Sequence, residues 1–296
     1  MIVITGASGK TGSKAAEALL KTGENTRVIG RSPEHLQHLT EQGAEAMIGD
    51  QGNVEFLTRA FSGADAAYVI IPPKYDTDNV RAHYNKMGAV IVDAVRRSEL
   101  RKMVFLSSLG AEHDTGTGPV VGLHDVEKAL DTLSDVDIVF LRPGYFFENT
   151  LMNIEQIKNR RIFASDFDPD ASILMVASRD IGQKAADLLL KHNFRSHTVE
   201  ELFGHRITLR EVSRLIGQKL DIPHIAYVRA SDGEAIDGMM AMGLSRNIAE
   251  SFVELSQGIS KGMITTTMLD PRKPNAPTRY HKFIDEALAT ARKKAA

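Results

Sequence analysis

The first twelve residues limit what this chain can become more than any later stretch does. Met1-Ile-Val-Ile-Thr-Gly-Ala-Ser-Gly-Lys-Thr-Gly12 runs a short apolar segment into glycines at 6, 9 and 12, and a helical pattern, Ser13–Lys21, follows at once. Strand, glycine turn and helix in that order are the context in which a dinucleotide fingerprint counts as evidence. Gly6 lets the chain turn sharply off the strand, and Gly9 lets the backbone approach a pyrophosphate. Gly12 permits close helix–strand packing, and free N–H groups at the helix start face the anion. Gly6, Ala7, Ser8, Gly9, Lys10, Thr11 and Gly12 therefore form the expected cofactor loop. Spacing alone would also fit an ordinary tight turn, and the flanking pattern is what favours the cofactor.

Apolar strand-like runs alternate with helical patterns through the first half. Further strands are expected at Thr26–Ile29, Ala46–Ile48, Ala66–Ile71, Lys102–Ser107 and Val136–Leu141. Helices are expected at Pro33–Gln42, Asn53–Phe61, Asn79–Ser98 and Leu123–Leu133, where apolar residues recur at three- and four-residue spacing. Continuous apolar strands alternating with amphipathic helices mean a parallel sheet covered on both faces. The rhythm breaks after Asn149. Beyond it come helices at Leu151–Asn159, Ser178–Lys191 and Thr208–Leu220, a strand at His197–Leu202, a helix-rich region at Asp232–Met263 and a terminal helix at His281–Lys294. The expected division is a dinucleotide-binding domain over 1–149, with helix 178–191 packed back on its sheet, and a smaller substrate-binding lobe over 150–296.

Composition removes several classes of function. A net charge of −2 gives no electrostatic case for nucleic acid or an acidic membrane surface. There is no cysteine, so disulfides, thiolate nucleophiles and cysteine metal sites are excluded. No apolar run reaches the length of a membrane span, and Met1 leads straight into the first strand with no basic leader. The expected setting is cytoplasmic and the expected partner a small-molecule substrate; a homodimer is compatible with the sequence. His35 and His38 lack a third ligand, and Asp166, Asp168 and Asp170 lack the glycine and distal glutamate of a calcium loop. No metal is expected.

An acidic residue about twenty positions past the glycines binds the ribose hydroxyls of NAD in such folds. Here that place reads Ile29-Gly30-Arg31-Ser32, with no acid. Arg31 offers a permanently charged planar fork suited to a 2′-phosphate, with Lys10 as a second cation. NADP(H) is therefore expected over NAD(H). Asp50 and Gln51, at the end of the third strand, either accept from the adenine amino group or close a turn through an Asx bond. Ile71 and Pro72 precede a second proline, which ends the strand at the ligand-binding edge and makes both plausible cofactor walls.

The GxxGxxG spacing resembles that of short-chain dehydrogenases/reductases, especially their extended and atypical branches. In the ordinary members a serine at the end of the fifth strand polarises the substrate carbonyl, and a Tyr-x-x-x-Lys on the next helix delivers the proton. This chain has Ser107 and Ser108 at that strand end, then His124-Asp-Val-Glu-Lys128. Lysine keeps its place and histidine takes the tyrosine's. With i,i+4 spacing both lie on one helix face. Histidine can exchange a proton near neutral pH, so His124 and Lys128 are the catalytic candidates, with His124 as the acid; alternatively His124 merely hydrogen-bonds or caps and Lys128 holds ribose or a backbone carbonyl. The glycine-rich run Gly116–Gly122 just before them reads as mobile.

The sixth strand leads into Arg142-Pro-Gly-Tyr-Phe-Phe-Glu-Asn149. Together with the glycine turn, Ser-Ser-x-Gly-Ala and the degraded Tyr-x-x-x-Lys, it makes the chain resemble the NmrA-like family of atypical short-chain reductases. The likeness is nearest to the NADPH-dependent quinone and azo- or triphenylmethane-dye reductase type. The resemblance implies an α/β fold, a Rossmann-type doubly wound parallel sheet with a smaller, mostly α-helical C-terminal lobe. It also implies NADP(H) across the sheet's carboxyl edge, Pro143, Gly144 and Tyr145 bordering the nicotinamide, and substrate entering between the lobes. Tyr145, Phe146 and Phe147 either stack on a flat ligand or are simply buried, and Met239, Met240 and Met242 either line a pliable pocket or fill core. The expected activity is hydride transfer to a conjugated acceptor. The family also contains dinucleotide-binding redox sensors, and loss of the tyrosine keeps that alternative open.

Overall fold

The computed structural model describes residues 1–191 and 194–295. The first half alternates β1 (Ile2–Ile4), α1 (Gly12–Lys21), β2 (Thr26–Gly30), α2 (Gln37–Thr40), β3 (Glu45–Ile48), α3 (Val54–Phe61), β4 (Ala66–Val69), α4 (Val80–Ser98), β5 (Lys102–Leu106), α5 (Val120–Leu130) and β6 (Asp137–Pro143). There follow β7 (Tyr145–Phe146), α6 (Ile154–Arg160), β8 (Ile162–Ser165), β9 (Ile173–Val176), α7 (Ser178–Lys191), β10 (His197–Leu202), β11 (His205–Ile207) and α8 (Leu209–Lys219). The last elements are β12 (Ala226–Arg229), α9 (Asp232–Ala241), α10 (Arg246–Ser260) and α11 (Tyr280–Ala295).

Seven parallel strands form one sheet in the order β10-β6-β5-β4-β1-β2-β3. The chain leaves β1 toward β2 and β3, then returns to β4 on the other side, so the switch point of the doubly wound sheet falls beside the glycine turn. Each face is covered. Val28, Val104, Leu141 and Tyr68 pack with α1 and α7 on one side, and Val69, Phe105, Ile138 and Phe140 with α3, α4 and α5 on the other. Helix α7 lies against α1 so closely that a Cβ on Gly182 would meet Lys14 Cβ at 2.6 Å and Thr11 O at 2.7 Å.

Several elements depart from the sequence-based expectation for identifiable reasons. β10, grouped with the smaller lobe from sequence order, instead extends the main sheet, from His197 beside Ile138 to Leu202 beside Pro143. That extra neighbour carries β6 two residues past Leu141. β4 stops short of Ile71 because side chains replace the ladder at Ile70: its N–H donates to Thr5 Oγ1 (2.8 Å) and its carbonyl accepts from Gln51 Nε2 (2.7 Å). The helices expected at Pro33–Gln42 and Leu151–Asn159 each begin as a 3₁₀ turn, Glu34–Leu36 and Phe147–Asn153.

The glycine-rich run 116–122, expected to be mobile, is packed. Gly116 N–H donates to Glu254 Oε1 (3.0 Å), a Cβ on Gly118 would meet Ser251 O at 2.0 Å, and α5 already begins at Val120. Glycine is needed at 118 because α10 passes directly over it, at a residue with φ of +58°.

The C-terminal part is helical and also carries two small sheets, β11-β9-β7 and β12-β8. Its own core gathers Phe147, Phe163, Ile173, Val212, Ile216 and Tyr280. Capping boxes start α8 at Thr208 and Glu211 and α9 at Ser231 and Glu234. Among the described residues no helix is long and apolar enough to cross a membrane.

Candidate cofactor and active site

The glycine turn is folded tightly and leaves its amides open. Gly6 has a φ of +58° and its carbonyl accepts from Gly9 N–H (2.9 Å). A Cβ on Gly12 would come within 2.3 Å of that carbonyl oxygen, so only glycine fits. Ser13 N–H and Ala15 N–H bond back to Gly9 and Thr11, whereas the N–H groups of Lys10, Thr11 and Gly12 have no acceptor among the described residues. Ser8, Gly9 and Lys10 are exposed; Ala7 and Thr11 are buried beneath them. Free amides at the start of a ten-residue helix, on a backbone without side chains in the way, fit a pyrophosphate.

Arg31 stands exposed just past β2, with no ion pair among the described residues. Asp50 Oδ1 accepts from Gly52 N–H at 2.9 Å, the Asx turn, and the residue is exposed. Gln51 is buried and spends its amide N–H on Ile70 O, so it fixes the end of β4. Ile71 is buried there, and the Pro72 carbonyl accepts from His83 Nε2 at 3.3 Å.

At the end of β5 lies a group that the sequence reading passed over. Ser107 donates its hydroxyl to Glu127, a buried carboxylate on α5. Arg142, buried in β6, donates to both oxygens of Glu127, through Nε (3.0 Å) and Nη2 (2.5 Å), and through Nη1 to Glu112 Oε2 (3.0 Å). Burial alone would depress the guanidinium pKa; the bond to Glu127 and the charges of Glu127, Glu112 and Glu201 outweigh it and raise it. The signal was available: Glu127 sits seven residues after Val120 on the apolar stripe of its helix, and a charged residue inside a buried strand calls for a buried partner.

His124 Nδ1 lies 2.8 Å from Ala111 O. A carbonyl only accepts, so Nδ1 carries the proton and Nε2 of the neutral ring is an acceptor. Lys128 is exposed and has no hydrogen bond or ion pair among the described residues. The buried place on that helix belongs to Glu127.

Ser108, half-buried, donates to Leu109 O (3.0 Å), and Leu109 N–H reaches Pro143 O (3.0 Å), joining the ends of β5 and β6. A Cβ on Gly144 would meet Leu174 O at 2.2 Å, which explains the glycine of this turn. Tyr145 makes an edge contact with Phe167 (5.5 Å). Burial, with the charge of Asp166 adding to it, pushes its pKa up to about 12, the reverse of an acidified catalytic tyrosine. Phe147, considered for stacking on a ligand, is wholly buried against Tyr280 and Phe283. Glu148 instead ties this motif to α7, accepting from Ser178 N–H (3.0 Å) and Oγ (2.6 Å).

Met240 and Met242 are exposed and Met239 half-buried, on or just after α9, a helix with no buried residue, so the core-filling alternative fails. The α9–α10 junction is tied to the loop after β4 by Ser245 N–H to Tyr75 O (2.9 Å) and Val80 N–H to Asn247 Oδ1 (2.8 Å). His35 and His38 are exposed, and Asp168 and Asp170 pair with Arg229 and Arg210. A groove of about 750 Å³ beside α8, lined by Arg214, Ile222 and Ile225 among others, contains none of the expected site residues.

A model of an NAD(P)H-binding family matches residues 6–192. The chain belongs to that family. Over 153 residues, 49% of this chain and 43% of the other, it is 29% identical to an NmrA-like family domain-containing oxidoreductase of Aspergillus campestris. It is 22% identical over 255 residues to an NAD(P)H azoreductase of Xenophilus azovorans, covering 86% of each chain. The solved NADPH complex of an NADPH-dependent quinone oxidoreductase from Escherichia coli superposes with a TM-score of 0.82 at 22% identity, covering 97% of this chain and 100% of that one. A Citrobacter triphenylmethane reductase with NADP(H) gives a TM-score of 0.80 at 22% identity, with the same coverage.

Proposed function

We propose that this family member is an NADPH-dependent oxidoreductase that passes hydride to a quinone, an azo or triphenylmethane dye, or a similar conjugated acceptor. The observation that carries the reading is the glycine turn, with three amides that have no acceptor among the described residues, beside a β2 end that holds Arg31 and no acid. The amides of Lys10, Thr11 and Gly12 would hold the pyrophosphate, and Arg31 with Lys10 the 2′-phosphate. Asp50 keeps an oxygen for the adenine amino group. Ile71, Pro72, Ser107, Ser108 and the Pro143–Tyr145 turn would flank the nicotinamide half. The bound cofactor supplies the hydride. The chain positions it, excludes water and leaves the proton to solvent or to His124, which can donate from Nε2 only as the imidazolium. Lys128, with no partner among the described residues, would reach the ribose. The reaction would run in the cytoplasm, and a homodimer is compatible with it.

Following NADPH oxidation across a panel of quinones and dyes, beside calorimetry of NADPH and NADP⁺, tests the reading. Turnover on at least one conjugated acceptor is expected. Tight binding with no turnover on any acceptor would replace it with the dinucleotide-sensor reading. His124→Ala and Lys128→Ala variants that both keep full kcat would remove any acid role for α5.

A further inference from the structure

Hydrogen-bond bookkeeping at the end of β5 decides what the cleft can offer a ligand. A serine hydroxyl has one proton to donate and two lone pairs to accept with. The Ser107 proton goes to Glu127, and Glu127 is a carboxylate, acceptor-only, anchored on both oxygens by Arg142. Since the carboxylate cannot donate back, the direction of that bond is fixed. The Ser108 proton goes to Leu109 O and the Nδ1 proton of His124 to Ala111 O. All three side chains have turned their protons toward the protein, and Ser107 has only lone pairs left.

Position says what those lone pairs meet. In a doubly wound sheet the ligand lies across the carboxyl ends on both sides of the switch point. The glycine turn after β1 takes the pyrophosphate and the β2 side carries Arg31, which leaves β4, β5 and β6 to the nicotinamide half. The donors on that half are ribose hydroxyls and the carboxamide N–H₂.

We propose that Glu127 is a positioning residue that makes Ser107 a hydrogen-bond acceptor for the nicotinamide half of the cofactor, and not a donor to the substrate. This rests on the dinucleotide reading of the site. It narrows the substrate class. With the Ser107 and Ser108 protons both spent on the protein, neither serine donates to a substrate oxygen, and an acceptor that is electron-poor in its own right is favoured. Such an acceptor takes a hydride, with both electrons, from the dihydronicotinamide and one proton from water or from the His124 imidazolium. A plain ketone needs a proton donor in the transition state, and Ser107 does not supply one.

The test is calorimetry on the full chain with NADP⁺ and with 2′,5′-ADP, which lacks the nicotinamide half, for wild type, Ser107→Ala, Glu127→Gln and the double variant. Ser107→Ala should weaken NADP⁺ about three- to tenfold, the span of one neutral hydrogen bond, and leave 2′,5′-ADP unchanged. Glu127→Gln should weaken NADP⁺ to the same extent, and the double variant should lose no more than either single one, because both act through one contact. Equal weakening of both ligands would mean a merely structural role and would overturn the proposal. So would additive losses, unchanged NADP⁺ affinity in Ser107→Ala, or a fall in its kcat of about a hundredfold or more at intact affinity, the mark of a donor to the transition state. If wild type binds neither ligand, the dinucleotide reading fails first and this inference falls with it.

Discussion

Replacing Arg142 by methionine removes the guanidinium that Glu127 and Glu112 share, close to the charge of Glu201. Glu127 is 6% exposed and Glu201 3%, while the Glu112 side chain is 25% exposed. Glu201 keeps other partners, the N–H groups of Thr267 (2.8 Å) and Met268 (3.0 Å). Glu127 loses both guanidinium bonds and keeps only Ser107. Stranding one member of a buried pair costs about 3–5 kcal/mol, or roughly 6–20 °C in Tm at about 2–4 °C per kcal/mol for a large domain. The sign with pH follows. A buried carboxylate without its cation takes up a proton on folding, so stability rises wherever acid supplies that proton. The deficit against wild type should therefore be largest near pH 8 and shrink toward pH 5. Urea unfolding at pH 5, 6.5 and 8 measures it. A deficit below about 1 kcal/mol, smaller than the usual cost of a stranded charge, or one that does not change with pH, would refute the reasoning. The double variant Arg142→Met/Glu127→Leu should recover most of the loss, because an apolar pair of similar volume often equals a buried ion pair.

Other consequences are narrower. Burial raises the Asp166 carboxyl pKa, with the Asp232 charge adding to it against a bond from Ser256. A raised acid contributes stability that is full below its ordinary value and is lost as pH rises through the raised one, so Asp166→Asn should flatten the stability profile on that acid side by up to about 1 kcal/mol. Chemical unfolding between pH 4 and 7 shows whether it does. Gly144→Ala drives a Cβ to 2.2 Å from Leu174 O and should cost about 1–3 kcal/mol as an overpacked contact; an unchanged Tm would contradict that. Gly12→Ala places its Cβ 2.3 Å from Gly6 O. It should abolish NADPH binding by displacing the turn, and a fluorescence titration with wild-type affinity would count against the cradle.

What was legible in the sequence was local. The glycine turn and the Arg142-Pro-Gly turn are each written in under a dozen residues, each strand or helix of the alternation is a short periodic run, and the structure places them close to where the pattern put them. Contacts across long separations were not legible. Nothing near His197 says that β10 will pair with β6, some sixty residues back, and a short strand reads alike in either lobe. Glu127 looked like any helix acid because its meaning depends on Ser107 and Arg142, on two other elements. Lys128 beside it is the more conspicuous residue because lysine completes a Tyr-x-x-x-Lys-like spacing with His124. The glycine-rich run looked mobile because composition does not report that α10 will lie across it.

The central claim is that the turn from Gly6 to Gly12, with Arg31 beside it, binds a phosphorylated dinucleotide. Calorimetric titration of wild type and Arg31→Ala with NADPH and NADH tests it most directly. Wild type should prefer NADPH by about ten- to a hundredfold, in line with charge-assisted bonds of roughly 1.5–3 kcal/mol. Arg31→Ala should lose that preference while its NADH affinity stays the same. Equal affinities in wild type, or no heat with either dinucleotide, would contradict the account.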